Sequence, residues 1–222
     1  MKTRGAATPC PPRLAIILVV GTLTLGAMAV VLLELWRDVQ AGGDPWKQGD
    51  WLINEINSPV RRGPFGSILI SLADWLQVSP LTVVAFVQAS MLFFVLAMLM
   101  RVTWRIASDA VVPLLLLSPA FFLVFWPLDP QGSLRKEMFV YLAMLLMLDA
   151  ALSRRLGSFT LSCVIFLVGC VAHEANVLFT PAFLAVIWIL FRGTPEQHIA
   201  FGLALVVAIL AAGALLYAIA NS

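Results

Sequence analysis

From Leu14 to Leu35 the chain runs about 22 residues with Glu34 as its one charge, and comparable apolar runs recur over 80–100, 108–127, 134–153, 157–173, 175–192 and 198–220. A helix of about 20 apolar residues covers a hydrocarbon core roughly 30 Å thick. Inside lipid every backbone N–H and C=O must be satisfied internally, which leaves only helices and closed barrels. A barrel would show segments of about 10 residues with alternating polarity, and this sequence has none. The expected fold is therefore all-α: a polytopic transmembrane bundle of about seven spanning helices, forming one integral-membrane domain over 1–222. Charge content agrees, at 12% of residues against roughly 25% in soluble domains.

The N-terminus begins with Lys2 and Arg4, continues into an apolar stretch and carries Ala27-Met28-Ala29, which mimics a signal-peptidase site. The apolar run continues past that site through VVLLELW, reaching Leu35, so the segment is read as an uncleaved first membrane helix. Cys163 and Cys170 share one apolar run seven residues apart, too far along a helix to bridge, and Cys10 lies in the tail. Neither a disulfide framework nor a metal site is implied.

The segment 64–78, PFGSILISLADWLQV, is short for a span. Ser67, Ser71 and Asp74 recur at i, i+4 and i+7, opposite an apolar face of Phe65, Ile68, Leu69, Leu72 and Leu76. That pattern predicts an amphipathic helix lying along the membrane rather than crossing it. The distribution of basic residues supports this. With a cytoplasmic N-terminus and 64–78 lying flat, Lys2, Arg4, Arg13, Arg101, Arg105, Arg154, Arg155 and Arg192 fall inside, against Arg37, Lys47, Arg61, Arg62, Arg135 and Lys136 outside. If 64–78 crosses, the balance inverts, contrary to the positive-inside tendency. The loop and interfacial helix of 36–78 are then outer, together with the stretches SPVRRG, DPQGSLRKE and AHEAN.

These outer stretches hold the candidate chemistry. Asp38, Asp44, Asp50 and Glu55 precede Arg61 and Arg62, whose forked donors suit phosphate oxygens. Arg135, Lys136 and Glu137 open the 134–153 segment. As consecutive helical residues they splay too widely for all three to face lipid. His173 and Glu174 lie between two apolar runs with almost no loop, where ionisable groups are costly and face cavities or partners. A zinc motif of the HExxH type is excluded because Val177 occupies the second histidine position. Asp149 is expected to pair with Arg154 or Arg155. Pro113, Pro119 and Pro181 are expected inside membrane helices, where kinks are tolerated.

A first helix, an acidic outer loop, a membrane-parallel helix and further spans resemble the conserved module of the GT-C superfamily of integral-membrane glycosyltransferases. The short motifs RRGPFG, RKE and HE followed by Pro181 are similar to those of EpsG-like exopolysaccharide or O-antigen polymerases. The resemblance implies transfer of sugar from a lipid-phosphate carrier of the polyprenyl type at the outer face of a bacterial inner membrane. It implies an outer-loop carboxylate, Asp44 or Asp50, as general base. It places Arg61, Arg62, Arg135 and Lys136 on the donor phosphates, and Glu137, His173 and Glu174 in the remaining polar wall. Membrane lipids and other polysaccharide-synthesis subunits are the expected partners; no cofactor, metal or nucleic acid is expected. Such polymerases usually have more helices and a longer late outer loop. A transporter or a lipid-binding scaffold subunit is the alternative.

Overall fold

A computed structural model of the protein describes residues 13–55, 63–106 and 122–220. Among them every regular element is helical: α1 (Arg13–Gln40), α2 (Gly63–Leu76), α3 (Pro80–Ile106), the short α4 (Phe122–Leu128) and α5 (Pro130–Ser133), α6 (Met138–Ser153), α7 (Leu156–Ala172), α8 (Thr180–Phe191) and α9 (Gln197–Ala220). A π-helical turn (Pro45–Gly49) and two 3₁₀ turns (Asp50–Leu52 and Glu174–Phe179) complete the path. Four helical stretches are long and apolar enough to cross a membrane: Arg13–Gln40, Pro80–Ile106, Glu174–Phe191 and Gln197–Ala220. They mark an integral membrane protein.

α6 and α7 are apolar but shorter, at 16 and 17 residues, or about 24–26 Å. The expectation of about seven full spans is not met among the described residues, and much of the 108–127 segment lies outside them. The 134–153 segment is also shorter than expected, because Arg135, Lys136 and Glu137 form a turn and the helix begins at Met138. Pro181 likewise does not interrupt a helix. It occupies the first turn of α8, just after the 3₁₀ turn, where its missing N–H costs nothing.

α1 buries Ile16, Val20, Thr24, Ala27, Val31 and Leu35, a three-to-four spacing that makes one stripe against α3. The two helices are antiparallel. At one end Arg13 donates to the Trp104 carbonyl and lies over its ring. At the other, Gly43 approaches Leu81 and Gln48 Nε2 donates to Gln88 Oε1 at 3.1 Å. α1 therefore ends and α3 begins at the same end of the bundle, in keeping with an α2 that makes no net crossing.

α2 docks through Gly63, Gly66, Leu69 and Ala73, while Ile68, Leu72 and Leu76 point outward. The single apolar face expected from the sequence is thus divided between protein and surroundings. Gly66 is obligatory at this contact: a Cβ there would lie 1.8 Å from the Ile53 carbonyl oxygen.

α6 is the centre of the molecule. It is apolar all round, as a buried helix should be, and packs on α3 along one side and α7 along the other. Ser162 Oγ donates to the Ala143 carbonyl at 2.6 Å inside the α6–α7 contact. A second apolar cluster joins α6 and α7 to α8 and α9. There Phe166 stacks on Phe183 with centroids 4.2 Å apart, and Phe159 meets Phe191 at 4.8 Å.

The bundle has two unlike ends. One carries Arg13, Arg101, Arg105, Arg154, Arg155 and Arg192. There Asp149, 2% exposed, accepts from Arg101 Nε at 2.8 Å and lies 3.1 Å from Arg105 Nε. The pairing expected with Arg154 or Arg155 is replaced because α6 terminates at Arg154, whose left-handed φ of 50° turns the chain toward α7. Asp149, one turn earlier, faces α3 instead. The other end gathers residues 41–55, 134–137 and 173–176.

Candidate functional site

At the polar end the first layer is a buried hydrogen-bonded frame. Asp44 caps the π-helical turn: its Oδ1 accepts from the Trp46 and Lys47 amides at 2.8 Å each, while Pro45 supplies a first residue that has no amide to satisfy. The turn drives Lys47 and Gln48 inward. Lys47 Nζ lies 2.6 Å from Asp38 Oδ2, and Gln88, fully buried in α3, donates to the carbonyls of Lys47 and Leu134 at 2.9 and 2.8 Å. Trp51 Nε1 donates to the same Leu134 carbonyl at 2.9 Å. Lys136, also fully buried, donates to the Asp50 carbonyl at 2.8 Å and lies 3.5 Å from its carboxylate. The frame joins the 44–52 turns to the 134–136 turn through α3.

A less satisfied layer adjoins it at Glu137. The three-residue spacing of His173 and Asn176 predicts a shared helix face, but His173 ends α7 in an extended conformation (φ −152°) and the two do not share one. His173 Nδ1 accepts from the Ala175 amide at 3.1 Å, which in the neutral imidazole puts the proton on Nε2. That nitrogen is 4.0 Å from Glu137 Oε1, and Glu174 Oε2 is 3.7 Å from Nδ1. Glu137 Oε2 is buried with no hydrogen-bond partner among the described residues and lies 3.9 Å from Arg135 Nε. Asn176 ties the layer together, donating to the carbonyls of Gly169 at 2.9 Å and Lys136 at 3.4 Å. Its Oδ1 is also buried without a hydrogen-bond partner. A side chain at position 169 would press on Phe139, with a Cβ 2.8 Å from the Phe139 Cβ.

Beside this layer a groove of about 400 Å³ runs down the flank between α7 and α9. Its walls are mainly apolar, among them Leu167, Val171, Leu210 and Ala214, and its polar contributions are Glu174 and Tyr217. The Tyr217 hydroxyl donates to the Glu55 carboxylate, linking the end of α9 to the segment leading toward α2.

No family model, curated protein or solved structure matches this chain.

The residues singled out from sequence fall into four groups. Glu137, His173 and Glu174 come together, with Arg135 half-exposed at their rim. Asp50 and Lys136 lie next to them but engage each other. Asp44 is taken up in capping. Arg61 and Arg62 lie outside the described residues. Among the described residues no cluster of three or more His, Cys, Asp or Glu suits a metal ion.

Sequence reasoning passed over Gln88 and Tyr217. Gln88 and Tyr217 had a signal: each is a polar group within a long apolar run, where such groups mark internal partners. By composition Trp36, Trp46 and Trp51, set among charges, all suit the membrane–water interface. Trp36 and Trp46 are exposed, whereas Trp51 is fully buried.

Proposed function

We propose that the protein is a membrane transferase acting on a lipid-phosphate-linked sugar at the polar end of the bundle, in the synthesis of cell-surface polysaccharide. One observation carries this reading: Glu174 belongs both to the Glu137–His173–Glu174 layer and to the wall of the apolar groove. An amphiphile with its chain in the groove would bring its head group to a set of carboxylates and an imidazole.

In the transfer, an acceptor hydroxyl oxygen attacks the anomeric carbon and the bond from that carbon to the phosphate oxygen breaks. The acceptor proton passes to the Glu174 carboxylate, the group nearest the groove, as general base. The departing lipid phosphate keeps the bonding pair, and its charge is met by Arg135, with Arg61 and Arg62 the further cations on this part of the chain. The His173 imidazole lies between the two carboxylates, with Nε2 toward Glu137 and Nδ1 toward the Glu174 base, and the three form one polar wall. Asp50 and Lys136 hold the 136–137 turn in place. The arginine-rich end then faces the cytoplasm, which puts the N-terminus inside and the site at the outer face of a bacterial inner membrane.

A second reading, a lipid-binding or scaffold subunit, draws on the close internal pairing of Asp38 with Lys47 and of Asp50 with Lys136. Transport has less support. Between the two ends the described core is lined by groups such as Met147, Phe166 and Phe183.

The test is surface polysaccharide in cells carrying Glu174→Gln or Glu137→Gln, with membrane protein levels measured alongside. The transferase reading expects polysaccharide to fall at least tenfold at unchanged protein abundance. Wild-type polysaccharide in both variants would leave the scaffold reading standing.

A further inference from the structure

At the arginine-rich end a second groove, of about 360 Å³, lies between α8 and α9. Ile187, fully buried, lies at its base, and Leu184, Ala204, Leu205 and Ala208 line its sides. Toward the end of α8 it is bounded by Trp188, stacked on Phe201 with centroids 4.9 Å apart and planes 12° from parallel. The Arg192 guanidinium lies over the Trp188 ring, 5.7 Å from its centroid.

Of the described cations in this half of the molecule, Arg192 is the one stacked on a residue of the groove wall, Trp188. Arg101 and Arg105 are spent on Asp149, and Arg13 on the Trp104 carbonyl. Arg154 lines a separate cleft with Glu196, the carboxylate nearest to Arg192 in sequence. Arg192 is exposed and has neither a carboxylate nor a hydrogen-bond partner among the described residues. Stacking on Trp188 holds its charge beside the groove while leaving its donors unused.

A fixed cation with free donors beside an apolar channel matches an anionic amphiphile in both charge and shape. We propose that the α8–α9 groove binds one anionic phospholipid, with an acyl chain along Leu205 and Ala208 and its phosphate on the Arg192 guanidinium. The site lies at the opposite end of the bundle from the proposed transferase site and does not depend on it.

The experiment is native mass spectrometry of the purified full chain, loaded from nanodiscs of phosphatidylglycerol or of phosphatidylcholine, with inorganic phosphate as a competitor. The wild type is expected to retain one phosphatidylglycerol in preference to phosphatidylcholine. Arg192→Gln should reduce that preference about fivefold, the factor equivalent to roughly 1 kcal/mol for one basic residue beside an anionic head group. Ala208→Phe, which fills the channel, should reduce retention of both lipids. Millimolar inorganic phosphate should displace neither.

Equal retention of the two lipids by the wild type would overturn the proposal, as would an unchanged preference in Arg192→Gln or unchanged retention in Ala208→Phe. Displacement by phosphate alone would show a simple anion site instead. Arg192 is at an exposed position, so its variant decides the matter if Ala208→Phe does not fold.

Discussion

Replacing Gly66 with alanine adds one methyl group at the point where α2 meets the 50–55 segment. The new Cβ would lie 1.8 Å from the Ile53 carbonyl oxygen, 2.6 Å from its carbonyl carbon and 3.1 Å from the Leu52 carbonyl carbon. Carbon–oxygen contacts settle near 3.3–3.6 Å, so the two backbones must separate by about 1.5 Å. Neither side can yield as a flexible side chain would. The separation loosens the edge contacts of Phe65 with Trp51 at 5.8 Å and with Phe139 at 5.6 Å. It also opens the seats of Leu69 and Ala73, which are 4% and 0% exposed. Overpacking of this kind costs about 1–3 kcal/mol. In a helix interior Gly→Ala gains up to about 1 kcal/mol, but Gly66 is in the first turn, where the gain is smaller. The net expectation is a loss of about 2 kcal/mol, or a fall in Tm of roughly 4–8 °C for a chain of this size. Thermal unfolding of the detergent-purified protein measures it. Gly26→Ala and Gly213→Ala are the controls, because a Cβ at either position meets nothing within 4 Å. If Gly66→Ala melts with those controls, the docking of α2 is wrong.

Asp149, Arg101 and Arg105 should behave non-additively. Either arginine changed alone to glutamine leaves the other on the carboxylate and should cost under about 1 kcal/mol, whereas changing both strands a buried charge and should cost about 3 kcal/mol or more; denaturant melts of the three variants decide it. Lys136→Met should destabilise by about 3 kcal/mol because Asp50 loses its cation, and adding Asp50→Asn should restore part of that loss. A double-mutant cycle with no coupling would contradict the pair. Trp51→Phe keeps the ring packing but removes the donor to the Leu134 carbonyl, which Gln88 also serves, so its cost should stay near 1 kcal/mol in a Tm comparison. Asn176→Leu should be worse, because two carbonyls lose a buried donor, and should also lower the proposed transferase activity by displacing the 136–137 turn.

The long elements were legible because uninterrupted apolarity is a strong signal: α1, α3 and α9 lie close to where the runs begin and end. That α1 ends and α3 begins at one end of the bundle agrees with the charge distribution and the amphipathic pattern of α2. The bringing together of Arg135–Glu137 and His173–Glu174 followed from that topology. What the pattern could not reveal was set by distant contacts. Lys136 is buried because Asp50, 86 residues earlier, offers it a carbonyl and a carboxylate. Asp149 pairs across to α3 rather than along its own chain, since the left-handed Arg154 carries the neighbouring arginines away. The break at His173 escaped a periodicity argument for a similar reason. Its extended backbone is held by its own imidazole accepting from Ala175 and by Asn176 reaching back to Gly169.

The central claim is that the flank groove beside Glu174 receives the lipid part of a sugar carrier. Photo-crosslinking of the purified chain with a photoreactive polyprenyl phosphate tests it directly, with labelled peptides mapped by mass spectrometry. Labelling should concentrate on residues 167–174 and 210–218 and be competed by the unlabelled lipid. It should fall severalfold in Gly213→Leu, whose side chain starts in open space and projects into the groove. Labelling of the outward faces of α1 and α3 at equal strength, or labelling unchanged in Gly213→Leu, would contradict it.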